Sequence, residues 1–297
     1  MPETIAFRAV YLPENRGLGN ALRVAVEHCS NELIARMDSD DLSAPDRFRK
    51  QLDVFVQAPD TDIVGGSITE FVGAPDHITG VRAVETTDGT IKADMKKRCA
   101  MNHVSVMYKK SAVLAAGGYL DWFWNEDYYL WIRMMERGCR FANVPEPLVN
   151  VRTGADMSKR RGGWKYFRSE RGLQKYMLDH RMIGLPRYLY NVAARFFGEV
   201  LAPNWVRTLL FRLIRKEYAP EPGGEAGSQP QEPRDLPPFS VAMSVYGKDD
   251  PQWFDLALDS VVRQTAKPAE IVLVVDGPVP DEVRDVITKY EAICGGK

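Results

Sequence analysis

The chain has 297 residues, 45% apolar, 27% charged and 10% aromatic, with a formal net charge of −1. This excludes a mainly disordered, collagen-like or coiled-coil protein, and the balanced charge gives no reason to expect a nucleic-acid partner. The four cysteines (Cys29, Cys99, Cys139, Cys294) include no C-x-x-C pair, so they read as reduced thiols and not as a disulfide framework or zinc site.

In chain order, FRAVYL (7–12) reads as a strand and GNALRVAVEHC (19–29) as a helix with Leu22, Ala25, Val26 and Cys29 on one side. ELIARM (32–37) is a strand that runs into Asp38-Ser39-Asp40-Asp41. The next helix is expected to start at Ser43 as N-cap, with Pro45 in its first turn and Asp46 three residues after the cap. TDIVGGSITEF (61–71) is a further strand, and the segment after Asn125 is a helix with Glu126 and Asp127 in its first turn.

Residues 158–217 hold fourteen Lys/Arg against four acids and are rich in Trp, Tyr, Phe and Leu. They read as a basic amphipathic helical tail, suited to an anionic membrane surface. Arg195 and Glu199 break the apolar stretch 188–206, so it is expected to lie on a membrane and not to cross it. Met1-Pro2-Glu3 opens no basic-then-apolar signal, so the expected location is cytoplasmic, at most peripheral at the inner face of the cell membrane.

Residues 219–238, with six Pro and three Gly in twenty, read as a flexible linker. Beyond it come a strand (239–246), a helix around Trp253 to Val261, a continuous apolar strand (271–275) ending at Asp276-Gly277-Pro278, and a last helix with Val283, Val286, Ile287 and Tyr290 on one stripe. A two-stranded parallel sheet of this kind is too small to stand alone. Placed before residue 1, it completes an unbroken βαβα–βαβα–β series with helices on both faces of a mainly parallel sheet. The order therefore reads as a circular permutation; an excerpt of a tandem two-domain chain gives the same pattern. The expected division is 239–297 with 1–100 as one half, 101–157 as the other, then tail and linker.

In such sheets ligands bind beyond the carboxyl ends of the strands. Asp276, Asp38 and Asp40 fall there. An Asp-x-Asp turn offers paired oxygens for Mg²⁺ or Mn²⁺; a solvated acidic turn is the plain alternative. Gly17-Leu18-Gly19 lacks the third glycine of a dinucleotide loop, since Leu22 stands there, and reads as a tight turn before a helix. Glu126 and Asp127 follow Trp122-Phe123-Trp124-Asn125. This suits a general base beside an aromatic wall, although carboxylates at a helix start also serve the dipole.

Rejoined as 239–297 then 1–217, the blocks FSVAMSVY, EIVLVVDGP, ENRGLGNALRVAVEHC, ELIARMDSDD, APDRFRKQ, MNHVSVMYKKSAV, NEDYYLWIRMMERG and RRGGWKYFRSE resemble those of family 2 inverting glycosyltransferases with the GT-A fold. The likeness is greatest to the bacterial exopolysaccharide and capsule group of the amylovoran type. It implies transfer of a sugar from a nucleotide-diphosphate donor, usually a uridine one, to a hydroxyl of a glycan or lipid-linked glycan. It further implies Val245, Tyr246, Asp276, Asn15, Gly17, Arg23 and Asp38 at the nucleotide, Asp40 and Asp38 at a divalent Mn²⁺ or Mg²⁺, and Asp127 as catalytic base. His103, Trp124 and Glu126 are implied on the acceptor side. A non-catalytic sugar- or nucleotide-binding module, or a fragment of a tandem transferase, is the alternative.

Overall fold

The structure, a computed structural model, describes residues 4–154, 163–201 and 236–295. The predicted linker, apart from 236–238, and the tail segments 158–162 and 202–218 lie outside the described residues. Along the chain run β1 (Ala6–Leu12), α1 (Leu18–His28), β2 (Leu33–Met37), β3 (Leu42–Ser43), α2 (Arg47–Gln57), β4 (Ile63–Phe71), β5 (Ile78–Arg82), α3 (Asp88–Met95), β6 (Met107–Lys109), α4 (Lys110–Ala115), α5 (Glu126–Glu136), β7 (Phe141–Arg152), α6 (Trp164–Asp179), α7 (Leu185–Arg195), β8 (Phe239–Tyr246), α8 (Pro251–Val262), β9 (Glu270–Asp276) and α9 (Asp281–Cys294).

The strands form one mixed sheet in the order β1-β9-β8-β2-β6-β4-β7-β3, with β5 added on β4. β9 pairs in parallel with β1 from Ala6↔Glu270 to Leu12↔Asp276, and with β8 from Ser240↔Glu270 to Tyr246↔Asp276. β8 in turn pairs in parallel with β2 from Leu33↔Phe239 to Met37↔Met243. The last two strands of the chain thus fill the gap between its first two. β6 runs antiparallel to both β2 and β4.

Helices cover both faces, which is why β2, β4 and β9 are buried along their whole length. Phe48, Leu52, Phe254, Leu258, Val283 and Ile287 of α2, α8 and α9 pack on one face. Leu22, Val26, Leu130, Trp131, Leu173 and Met177 of α1, α5 and α6 pack on the other. Each such side chain contributes about 1.5–3 kcal/mol of burial.

One expected helix start is corrected. Ser43 is not the cap of α2: it belongs to β3, which pairs with β7, and its N–H donates to Ser260 Oγ at 3.0 Å. Ala44 N–H bonds Leu148 O at 2.9 Å, so the chain stays extended up to Pro45. A residue before proline is pushed out of the helical region, and the helix begins only at Arg47.

Candidate functional site

The carboxyl ends of β8, β9 and β2 gather most of the residues singled out in the sequence. Asp276 ends β9, is 4% exposed, and accepts from Arg16 N–H and Gly17 N–H, both at 3.0 Å. Asn15 Oδ1 accepts from Gly17 N–H at 3.1 Å. The carboxylate therefore folds the 15–17 turn over the strand end and aims α1 from it. Gly277 makes this possible: its φ is +86°, and a Cβ there would stand 2.6 Å from Asn15 N. Tyr246 pairs with Asp276 and is half-exposed, whereas Val245 lies buried in the core on the face covered by α2, α8 and α9. Arg23 points along its own helix to Glu27 (2.8 Å) and Asn20 (3.0 Å).

The aspartate turn after β2 is held by two guanidinium groups. Arg36, 1% exposed, grips Asp38 through both oxygens at 2.6 and 2.5 Å. Its carbonyl accepts from the buried Arg47 at 2.7 Å, which supports the strand end from beneath. Arg152, at the end of β7, donates to Asp40 Oδ2 at 2.9 Å, its backbone N–H binds Asp41 Oδ1 at 2.9 Å, and its guanidinium lies over the Trp253 ring. Asp249, in the turn after β8, accepts from Ser39 Oγ (2.7 Å) and Tyr246 N–H (3.1 Å).

Asp38, Asp40, Asp41 and Asp249 thus crowd together near Arg36, Arg47 and Arg152, and the acids act on one another. Burial and then Asp38 push Asp40 upward; burial, Asp38 and Asp40 push Asp41 well upward. Burial raises Asp249 to about 6, with Asp40 and Asp38 adding to it. Among the described residues no three His, Cys, Asp or Glu side chains form a ready metal cage. The donor set nevertheless fits a hard divalent cation that takes one or two carboxylates and completes its shell with water and phosphate oxygens.

Asp127 and Glu126 open α5. Gly19, in the first turn of α1, packs against Glu126: a Cβ there would lie 3.5 Å from Glu126 Cβ. The turn held by Asp276 therefore abuts the start of α5. Burial, and then Asp127, push Glu126 up to about 7, while Arg36 acts the opposite way. The Cys99 thiol lies 3.8 Å from Asp127 Oδ2, and burial together with that carboxylate keeps it protonated.

Trp124 stands just before this helix with φ +58° and is 52% exposed. A left-handed backbone is costly for a bulky residue, and here it leaves the indole in solvent beside the acids. His103 instead turns inward, its Nε2 2.9 Å from Tyr119 OH and its ring edge-on to Trp131. Burial and Arg36 hold it neutral, well below the usual histidine range.

Sequence reasoning did not single out Arg36, Asp41, Arg152 or Asp249. A usable signal existed for Arg36, a lone charge inside an otherwise apolar strand, and for Asp249, an acid in the turn after a strand. Arg152 carried none, because only folding brings β7 to the aspartate turn.

Comparison with known proteins decides the family. The description "Glycosyl transferase family 2" fits residues 3–114. An uncharacterized glycosyltransferase of Haemophilus influenzae is 39% identical over 212 residues, 71% of this chain and 79% of that protein. The chain belongs to glycosyltransferase family 2. The amylovoran biosynthesis glycosyltransferase AmsE of Erwinia amylovora is 35% identical over 208 residues, 70% of this chain and 77% of that protein. A UDP-Gal:alpha-D-GlcNAc-diphosphoundecaprenol beta-1,3-galactosyltransferase of Escherichia coli is 31% identical over 205 residues, 69% and 74% of the two chains. This family 2 glycosyltransferase is accordingly a transferase with relatives in polysaccharide biosynthesis, and its α/β fold agrees with the GT-A architecture.

Proposed function

We propose that the protein moves a sugar from a nucleotide-diphosphate donor, a uridine one, to a hydroxyl of a lipid-linked glycan, with inversion, in the assembly of a bacterial polysaccharide. The observation that carries this is the gathering of the acids at one end of the sheet. Asp276 holds the 16–17 turn, the helix after that turn abuts Glu126 beside Asp127, and Arg36 and Arg152 hold Asp38 and Asp40 at the end of the neighbouring β2. In this reading Tyr246, Asn15, Gly17 and Asp276 frame the base and ribose. Arg23 stands one turn further along α1, and Val245 supports the strand beneath. Asp38 and Asp40 face the diphosphate.

Asp127 accepts the proton of the attacking hydroxyl, and Trp124 offers the acceptor ring an aromatic face. Attack from the side opposite the leaving nucleotide inverts the anomeric carbon without a covalent enzyme intermediate. Asp40, with Asp38, would hold Mn²⁺ or Mg²⁺, which when bound neutralises charge on the departing diphosphate. Arg36 holds Asp38 and Arg152 holds Asp40, which fixes the two carboxylates that would bind it. Glu126, at about 7, supplies a second protonatable group beside Asp127. His103, held neutral, stiffens the wall behind the acceptor.

A lipid-linked acceptor places the work at the inner face of the cell membrane. No helix among the described residues is long and apolar enough to cross a membrane, so this reading takes attachment to be peripheral. The strand pairing between tail and head supports the reading of the chain as a rotated family 2 domain.

Incubation with a panel of nucleotide sugars and Mn²⁺ tests the proposal. Release of nucleoside diphosphate from a uridine sugar, with the product anomer opposite to the donor's by NMR, is expected. A product of retained configuration, or binding of nucleotide sugars without turnover of any with an acceptor present, would contradict it.

A further inference from the structure

Helix α7 is amphipathic in the inverted sense. Its inward side carries polar groups beside Tyr188, which packs on the core. Asn191, 3% exposed, donates to Lys96 O at 2.9 Å and to Gln174 Oε1 at 2.7 Å. Arg195 pairs with the buried Glu170 at 2.6 Å and donates to Lys97 O at 2.7 Å. Its outward side carries Leu185, Leu189 and Ala193, and this row runs on to Phe197 in the wide π-helical turn Phe196–Leu201, with Tyr190 beside it. Leu185 and Leu189 are each 56% exposed, Phe197 62% and Tyr190 68%. A spacing of four residues lines the row up as one ridge. A helix facing water shows the opposite arrangement, and contiguous apolar surface of this kind marks an interaction face.

The ridge is continuous with the mouth of the proposed site. Phe197 packs on Phe196, Phe196 on Trp164, Lys165 lies 3.9 Å from the Phe123 ring centre, and Phe123 packs on Trp124 beside Asp127. The same two helices and the turn between them carry exposed cations: Lys165, Arg168, Arg171, Arg181 and Arg187. Among the described side chains of α6 and α7 the exposed acid, Asp179, is already bound by Lys175. Self-pairing of this face would set the same cations against each other, which favours an anionic partner.

We propose that the α6–α7 face, with the Leu185–Leu189–Phe197 ridge inserted and Lys165, Arg181 and Arg187 on the head groups, docks on an anionic phospholipid bilayer and turns the Trp124–Asp127 mouth toward it. The purpose rests on the lipid-linked acceptor of the preceding section. The binding itself does not.

Flotation of the full chain with phosphatidylcholine vesicles, with and without phosphatidylglycerol, tests this. Wild type floats with phosphatidylglycerol only, and less so from about 0.1 to about 0.5 M NaCl. Leu189→Glu combined with Phe197→Glu lowers the bound fraction about tenfold or more, with an unchanged melting curve because both sites are exposed. Arg181→Gln with Arg187→Gln weakens the salt dependence. Asp127→Asn floats as wild type does, so failure of the catalytic reading and failure of docking are read separately. A ridge variant that floats undiminished overturns the proposal, as does a wild type that ignores phosphatidylglycerol. So does a concentration-dependent dimer that Leu189→Glu dissolves without vesicle binding, since a second copy would then be the occupant.

Discussion

Glu126 shows how much chemistry one position can hold. Its carboxyl is raised to about 7 by burial and by Asp127, so between about pH 4.5 and 7 the folded chain holds a proton that the unfolded chain has lost. Stability tied to that proton is complete below about 4.5 and falls as pH rises toward 7. Glu126→Gln should therefore flatten the decline of Tm with pH across that window. Parallel wild-type and variant curves would show that Glu126 does not carry the raised pKa. The sequence marked Glu126, Asp127, Asp38 and Asp40, because acids at strand and helix ends are local features. It did not mark Arg152 as a group that holds an aspartate, since that role exists only once β7 reaches the turn after β2; Arg36, two residues from Asp38, was a local signal left unread.

Among the elements, those with one clear apolar stripe or one apolar run lie close to where periodicity puts them: α1, α5, α9, β8 and β9. The start of α2 does not, because strand pairing at Ser43 and Ala44 overrides a cap that local sequence favours. The inverted polarity of α7 was also hidden. Composition showed a basic, aromatic tail, but which side of the helix faced inward depended on partners in α6 and in the 96–98 turn. Glu170 and Arg195 tie α6 to α7 with side chains 8% and 13% exposed. Arg195→Met leaves the Glu170 carboxylate largely buried and without that partner, and should cost about 3 kcal/mol in urea unfolding. A loss under about 1 kcal/mol, the range of exposed pairs, would show that this contact does not hold α7 in place.

At the scale of the whole molecule, the two ends of the chain are parts of one sheet. β1 and β2 leave a gap that β8 and β9 fill, with seven paired positions on one side and five on the other. The core on the α8–α9 face mixes Phe7, Leu33 and Ala35 with Phe254, Leu258 and Ile287. A specific protease site placed in 219–235 should therefore yield two fragments that co-elute under native conditions and separate only in denaturant. Separation without denaturant would mean that the interlock does not hold the pieces. The need for such closure was legible beforehand, because the C-terminal piece reads as two parallel strands with nothing to cover their edges.

In the proposed reaction Asp127 is the group that takes the acceptor proton. Its direct measurement is the turnover of Asp127→Asn with donor, acceptor and Mn²⁺, beside its affinity for the nucleotide. A catalytic base at Asp127 requires a fall of about 10²–10⁴ in kcat with donor binding unchanged. Turnover within a few-fold of wild type would remove Asp127 from the chemistry and the proposed mechanism with it.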